Sequence, residues 1–223
     1  MHPAQITGCR SLSEEYSDAQ KGNSSGFTTN PTILLRDQVP ACNIKVLKVL
    51  AEQAFSLGAQ ELQLQAWGGT AGRLYSVGLD LAAIDTRTVV KLPITDAGVE
   101  AAGLLKSQGV RVTLTGVYTA HQAFTAMAAN ADYAAPYLGR MNDVGRSGRG
   151  EIVTMQQMID SMGSSMRLLV ASVRSPEDIV ALASQGCNTF TISPQCADQL
   201  FGEPLTWQAA QQFEVDAAAL GAS

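Results

Sequence analysis

Hydrophobic and polar positions follow two alternating patterns from residue 26 onward. Short apolar runs rich in β-branched residues predict strands, and stretches with apolar residues at three- and four-residue spacing predict amphipathic helices. The predicted strands cover residues 26–29, 61–65, 88–91, 111–115, 132–136, 167–171 and 188–192. The predicted helices between them cover residues 42–57, 70–82, 97–108, 119–129, 151–161 and 176–185. Such alternation is typical of a parallel sheet with helical crossovers.

The two ends of the chain depart from this pattern. Seven strands follow residue 25, so an eight-stranded TIM-type (βα)8 barrel needs its first strand within residues 1–25. Residues 5–9 (QITGC) are the one strand-like piece there, and they form a weak strand signal. Residues 194–200 and 206–220 predict two further helices outside the repeat. We therefore predict one α/β domain, with a divergent N-terminal segment at 1–25 and a barrel plus C-terminal helix at 26–223.

Composition excludes several classes of function. The net charge of −5 gives no basic surface for nucleic acid or for an anionic membrane. No apolar stretch has the length of a transmembrane helix, and the first residues lack a signal-peptide core. The four cysteines are scattered and histidine is scarce, which argues against a metal site and favours a reducing, cytoplasmic location.

Lys91 is unusual because it ends a β-branched run that predicts a buried strand. Burying an ammonium group is costly, so such a lysine is rare. One interpretation is structural: the side chain extends to solvent or pairs with a carboxylate. The other is chemical: an apolar site lowers the pKa of the amine, which then attacks a carbonyl and forms a Schiff base.

Polar residues also end the strands on either side of Lys91. Gln65 and Thr115 stand at the predicted C-terminal ends of their strands, which is the catalytic rim of a barrel. The alternative is that both side chains only bond to loop backbone. Tyr137 and Arg140 follow a later strand, and Ser172 with Arg174 follows the next one.

Arginine and serine in such positions predict an anion site. A guanidinium group binds phosphate through two parallel hydrogen bonds, and a hydroxyl adds a third donor. The alternative for Arg140 and Arg174 is the commoner one, a solvated surface arginine. Arg146 and Arg149, in the glycine-rich loop after Arg140, are predicted to be solvated.

Four motifs carry a resemblance to a known family. Residues 26–32 (GFTTNPT) resemble the TTNP signature of transaldolases, and residues 89–95 (VVKLPIT) resemble their Schiff-base lysine segment. Residues 135–140 (APYLGR) and 171–174 (ASVR) are similar to their phosphate-binding segments. The chain thus resembles the small-subunit branch, which contains short transaldolases and fructose-6-phosphate aldolase. The resemblance implies a barrel, a class I mechanism without metal or cofactor, and a ring-like homo-oligomer in which the C-terminal helix packs on a neighbour.

The resemblance also implies a role for each catalytic candidate. Lys91 would form an imine with dihydroxyacetone or a ketose phosphate, while Thr115 and Gln65 would hold a water that transfers protons. Transaldolases usually have phenylalanine in place of Tyr137 and glutamate in place of Gln65, so both positions favour the aldolase type.

The same resemblance assigns a set of substrate-binding residues. Thr29 and Asn30 would contact substrate hydroxyls, and Arg140, Ser172 and Arg174 would bind phosphate. The partners would be small sugar phosphates. Two alternatives to an aldolase stay open. One is a true transaldolase that transfers a dihydroxyacetone unit to erythrose 4-phosphate, and the other is a sugar-phosphate-binding barrel with impaired catalysis.

The first strand departs from the family pattern. The family places an aspartate at the end of that strand, where it assists proton transfer at substrate hydroxyls. The usual interval before Asn30 leads to Gly8, and QITGC contains no carboxylate. Glu14, Glu15 and Asp18 lie further along in polar sequence. Either the strand is remodelled or the proton-transfer group is missing, and we expect Schiff-base formation with reduced turnover.

Overall fold

The strands form a closed parallel barrel in a computed structural model that describes residues 5–7, through their backbone, and residues 26–222. In chain order they are β1 (Gln5–Thr7), β2 (Gly26–Thr28), β3 (Glu61–Gln65), β4 (Thr88–Pro93), β5 (Val112–Val117), β6 (Tyr133–Pro136), β7 (Arg167–Val173) and β8 (Thr189–Ile192). Each strand pairs with the next, and β8 pairs with β1 to close the barrel. The predicted TIM-type fold is confirmed.

Helices connect the strands on the outside of the barrel. They are α1 (Pro31–Arg36), α2 (Ile44–Ser56), α3 (Ala71–Ala82), α4 (Asp96–Ser107), α5 (Ala120–Ala128), α6 (Leu138–Asp143), α7 (Gly148–Ser161), α8 (Pro176–Ala183), α9 (Pro194–Gln199) and α10 (Pro204–Ala219). The six predicted crossover helices and the two C-terminal helices are all present. Two helices of six residues, α1 and α6, were not predicted because they are too short to show helical periodicity.

Strand alternation divides the interior into two cores. Outward-facing residues such as Leu64, Val90 and Leu114 are fully buried against the helices. Inward-facing residues belong to a smaller cluster inside the barrel, formed by Val89, Tyr133, Ala135 and Leu169 with Tyr137 packed against it. Successive side chains of a strand point to opposite faces, so one sequence pattern supplies both cores.

A polar network fills the barrel below this inner cluster. Glu61 accepts hydrogen bonds from Arg111 Nη1 at 2.7 Å, from Tyr133 Oη at 3.1 Å and from Gln63 Nε2 at 2.8 Å. Thr113 Oγ1 in turn donates to Gln63 Oε1 at 2.9 Å. Burial and the Glu61 carboxylate raise the pKa of Tyr133 to about 12. These groups satisfy one another, which leaves the opposite, C-terminal end of the barrel for a ligand.

The first strand lies within the predicted segment 5–9. Its backbone pairs with β2 on one side, Thr7 beside Thr28, and with β8 on the other, Gln5 beside Thr191. Glu14, Glu15 and Asp18 lie outside the described residues, so the absence of a first-strand aspartate stays a prediction. No helix in the described ranges has both the length and the apolar character needed to span a membrane.

Candidate active site

Lys91 points into the barrel from β4 and is 5% exposed. The strand continues to Pro93, so Lys91 lies two residues before its end and the predicted end at Lys91 is wrong. Its Nζ donates hydrogen bonds to Thr28 Oγ1 at 2.6 Å and to the Thr29 carbonyl oxygen at 3.3 Å. Both partners are neutral oxygens, and no carboxylate of the described residues forms an ion pair with this amine.

Burial without a counter-charge changes the chemistry of this amine. Desolvation lowers the pKa of Lys91 from 10.5 to about 8, because a buried site disfavours the charged form. At pH 7 roughly one lysine in ten is then a neutral amine, compared with well under one in a thousand for an exposed lysine. The lone pair needed to attack a carbonyl is therefore available near neutral pH.

A cavity of about 220 Å³ lies above Lys91 at the C-terminal end of the strands. Its lining comes from β2, α1, β4, β7, β8 and the segment after β6; the residues are Thr28, Asn30, Thr32, Ile33, Arg36, Lys91, Tyr137, Arg140, Ala171, Ser172 and Thr191. Three of these are cationic, and none of the lining residues in the described part of the chain is acidic. Hydroxyl and amide groups supply most of the other polar atoms. Such a lining suits a small anionic ligand that carries hydroxyl groups.

Thr115 and Tyr137 form a hydroxyl pair beside this cavity. Their oxygens are 2.6 Å apart, so one hydroxyl donates to the other. The ring of Tyr137 is fixed by an edge-to-face contact with Tyr118, with ring centroids 5.6 Å apart, and by the Arg140 guanidinium 4.9 Å above it. Two hydroxyls held at this distance can hydrogen-bond a water or a substrate oxygen at the edge of the cavity.

Gln65 ends β3 as predicted, but its side-chain amide hydrogen-bonds to backbone carbonyl groups. Its Nε2 donates to the Ala66 carbonyl at 3.3 Å and to the Lys91 carbonyl at 3.2 Å. Gln65 does not line the cavity. The alternative interpretation of a strand-end residue bonded to backbone therefore describes Gln65, whereas Thr115 bonds to a side chain.

Ser172 and Arg140 both line the cavity, on β7 and on α6. The pairing of β7 with β8 shifts register between Val170 and Val173, and within this bulge Ser172 has a left-handed φ of 59°. Gly139 in α6 packs against it: a Cβ on Gly139 would lie 2.6 Å from the Ser172 carbonyl oxygen and 2.9 Å from Ser172 Oγ. Glycine is thus required for α6 to approach the bulge and bring Arg140 beside Ser172.

Arg174 and Thr29 do not line the cavity. Both guanidinium nitrogens of Arg174 bind Asp143, at 2.7 and 2.5 Å, and this pair lowers the pKa of the Asp143 carboxyl. Thr29 instead presents its carbonyl to Lys91. Arg149 is exposed, as predicted for a solvated arginine, and its Nε also donates to Asp178 at 2.9 Å.

Asn30 contributes both to the fold and to the cavity. Its Oδ1 accepts from the backbone N–H of Ile33 at 2.9 Å and caps α1. Its amide nitrogen is left as a donor for a ligand. Sequence reasoning missed four polar lining residues, because threonine is ordinary in a strand and α1 was not predicted: Thr28, Thr32, Arg36 and Thr191.

Comparison with known proteins agrees with this geometry. A family model described as Transaldolase/Fructose-6-phosphate aldolase matches residues 12–222. A probable transaldolase of Lysinibacillus sphaericus (strain C3-41) is 31% identical over 204 residues, which are 91% of this chain and 92% of that protein. A probable transaldolase of Methanococcus maripaludis (strain C7 / ATCC BAA-1331) is 29% identical over 87% of this chain and 88% of its own.

Solved structures share the fold alone. A flavocytochrome b2 mutant superposes with a TM-score of 0.59 at 12% identity, and a mandelate oxidase mutant bearing a monooxide FMN adduct with 0.55 at 14%. Each alignment covers 86% of this chain but only 57% and 63%, respectively, of the solved chain. The present chain therefore spans less than two thirds of the length of these structures.

Proposed function

Because the chain belongs to the transaldolase/fructose-6-phosphate aldolase family, we propose that it is a Schiff-base enzyme that cleaves a dihydroxyacetone unit from ketose phosphates, as a fructose-6-phosphate aldolase does. The observation that carries this proposal is Lys91. It is a buried lysine with a pKa of about 8 that lines a cavity with Arg140 and Ser172. A nucleophilic amine and an anion site in one cavity match a phosphorylated carbonyl substrate.

The proposed reaction starts from the neutral amine. Lys91 Nζ attacks the ketose carbonyl carbon, and loss of water gives a protonated imine that withdraws electrons from the bond between the α and β carbons. That bond breaks as the hydroxyl on the β carbon gives up its proton to a base, the β carbon leaves as an aldehyde, and the electron pair stays on the Lys91 adduct as an enamine. The enamine on Lys91 is then protonated and hydrolysed. Arg140 and Ser172 would hold the phosphate, and Asn30 a substrate hydroxyl.

Trapping with borohydride tests the proposal directly. Incubation with dihydroxyacetone and borohydride should attach one reduced unit to Lys91, located by peptide mass spectrometry. Lys91→Met should abolish the adduct, and Lys48→Met, which removes an exposed lysine of α2, should leave it unchanged. An unmodified wild-type protein, or an adduct elsewhere, would contradict the proposal.

The hydroxyl pair of Thr115 and Tyr137 supports the aldolase type over transfer. We propose that it holds the water that protonates the enamine, so that dihydroxyacetone leaves without an acceptor. Tyr137→Phe should then lower the ratio of free to transferred dihydroxyacetone, measured with and without an aldose phosphate. Tyr118→Phe is the matched control, since it alters the adjacent ring and keeps the Thr115–Tyr137 pair. An unchanged ratio in Tyr137→Phe would leave true transaldolase as the better assignment.

A barrel with impaired catalysis is the second candidate. It is favoured by the cavity lining, where no described residue carries a carboxylate. A missing general acid–base costs roughly 10²–10⁴ in rate, so an adduct on Lys91 together with weak cleavage would mark an impaired enzyme. Sugar-phosphate binding by calorimetry without any adduct would mark a binding protein.

We also propose a cytoplasmic homo-oligomer. The predicted boundary at residue 26 does not start the barrel, because β1 (Gln5–Thr7) already pairs with β2 and β8. Helix α10 has no buried residue, and its apolar side chains, such as Trp207 and Phe213, are 61% and 67% exposed. A second copy of the chain would cover them. Cys187 and Cys196 are buried free thiols, as expected in a reducing compartment.

A further inference from the structure

Thr191 of β8 carries a buried hydroxyl for which the described residues offer no hydrogen-bond partner. Its side chain lines the cavity that contains Lys91, yet the residue is only 4% exposed. Its Oγ1 is buried and makes no hydrogen bond to any protein group in the described ranges. A buried hydroxyl without a partner costs free energy comparable to a lost hydrogen bond.

Comparison with four other threonines distinguishes this position. Thr189 points to the same side of β8, and its hydroxyl donates to Asn188 Oδ1 at 2.8 Å. Thr28 lines the same cavity, and its hydroxyl accepts from Lys91. Thr29 and Thr88 also have unpartnered buried hydroxyls but do not line the cavity. Within the described residues, Thr191 alone combines an unpartnered hydroxyl with a place in the cavity lining.

The barrel topology places Thr191 close to the chemistry. Strand β1 lies between β2 and β8, with its residue Thr7 beside Thr28 and its residue Gln5 beside Thr191. Thr28 and Thr191, which both line the cavity, thus lie on the two strands that flank β1. Rotation about χ1 of a threonine exchanges its hydroxyl with its methyl group or hydrogen, so the hydroxyl of Thr191 can turn toward a ligand. The arginines supply positive charge for a phosphate group, whereas the neutral hydroxyl of Thr191 suits a neutral group of the ligand, such as a hydroxyl.

We propose that Thr191 is a substrate-binding residue that hydrogen-bonds a hydroxyl of the ketose unit carried by Lys91. This inference rests on the proposed Schiff-base function. The residue selects hydroxylated ketones, because a ketone without that hydroxyl leaves the buried Thr191 hydroxyl without a partner. Thr191 thereby contributes to the choice of a polyhydroxy donor over a plain ketone.

The test compares two ketones that form the same imine. Half-saturating concentrations for adduct formation on Lys91 are measured with dihydroxyacetone and with acetone in the presence of cyanoborohydride. Thr191→Val keeps the shape of the side chain and removes the hydroxyl. It should therefore raise the half-saturating concentration of dihydroxyacetone roughly three- to tenfold relative to that of acetone. Thr191→Ser should restore the wild-type ratio. Thr88→Val removes another unpartnered buried hydroxyl, outside the cavity, and should not change the ratio.

The outcomes separate this inference from the function on which it rests. A wild-type protein that forms no adduct with either ketone would overturn the proposed function and this inference with it. If both proteins form adducts and the ratio of half-saturating concentrations for the two ketones is the same in wild type and in Thr191→Val, only the role of Thr191 is overturned. The acetone adduct reports whether the variant keeps an intact site, and Thr191→Ala provides the same comparison if valine prevents folding.

Discussion

At the residue scale, the site depends on how Lys91 is held rather than on its being a lysine. Two neutral oxygens, Thr28 Oγ1 and the Thr29 carbonyl, contact its Nζ. A carboxylate at the same distance would keep the ammonium charged and unreactive. The arrangement therefore orients the amine while leaving its pKa low.

The first prediction concerns the pH dependence of imine formation. The rate of cyanoborohydride trapping on Lys91 should rise with pH through a midpoint near 8 and level off above it, because only the neutral amine attacks. Thr28→Val removes an oxygen that favours the charged form, so its midpoint should shift to lower pH. A midpoint near 10.5 in the wild type would mean that Lys91 is not desolvated in solution.

The second prediction links the same residue to stability. Lys91 has a folded-state pKa of about 8 and an unfolded value near 10.5, so the unfolded chain binds more protons between these values and stability rises with pH across this window. Between pH 7 and pH 10.5, the free energy of unfolding of wild type minus that of Lys91→Met should increase by about 3 kcal/mol. Urea denaturation measures this, with Lys48→Met as the control for loss of a surface charge. A constant difference would refute it.

At the element scale, the contact between α6 and the β7 bulge shapes the anion site. The third prediction is that Gly139→Ala, which places a Cβ 2.6 Å from the Ser172 carbonyl oxygen, forces the bulge away. We expect a loss of about 1–3 kcal/mol in stability and a roughly two- to tenfold weaker affinity for fructose 6-phosphate.

Gly103→Ala is the matched control for that substitution. Gly103 lies inside α4, and a Cβ at this position would meet no atom of a neighbouring element within 4 Å. Alanine should therefore be neutral or should stabilise the helix by up to about 1 kcal/mol. Denaturation curves and calorimetric titrations of both variants give the comparison. Equal behaviour of the two variants would show that α6 does not position Ser172.

Elements also show what the sequence can and cannot predict. The regular strands and helices followed from periodicity, whereas the predicted strand ends at Lys91 and Thr115 each fall two residues short of the observed ends of β4 and β5. The sequence offered two interpretations of Gln65 and could not decide between them, because its bond to the Lys91 carbonyl depends on the register of β3 against β4. Thr191 was missed for a similar reason: its place in the cavity that Lys91 also lines depends on barrel closure through β1, which joins distant parts of the chain.

At the scale of the whole molecule, α10 predicts association. The fourth prediction is that Phe213→Lys, on the exposed helix, reduces the mass measured by analytical ultracentrifugation toward that of one chain. Phe124→Lys changes a phenylalanine of α5 that is 49% exposed and should leave the mass unchanged. A wild-type protein that is already monomeric would contradict the proposal of a homo-oligomer.

The charges of the cavity lining have a further consequence for the molecule in solution. A chain with a net charge of −5 repels anions over most of its surface, while Lys91, Arg36 and Arg140 attract them at one opening. Low-dielectric walls concentrate that field, so a phosphorylated ligand is guided to the opening and competes there with every small anion of the medium. Inorganic phosphate and sulfate should thus act as inhibitors, and added salt should slow ligand capture more than it slows ligand release.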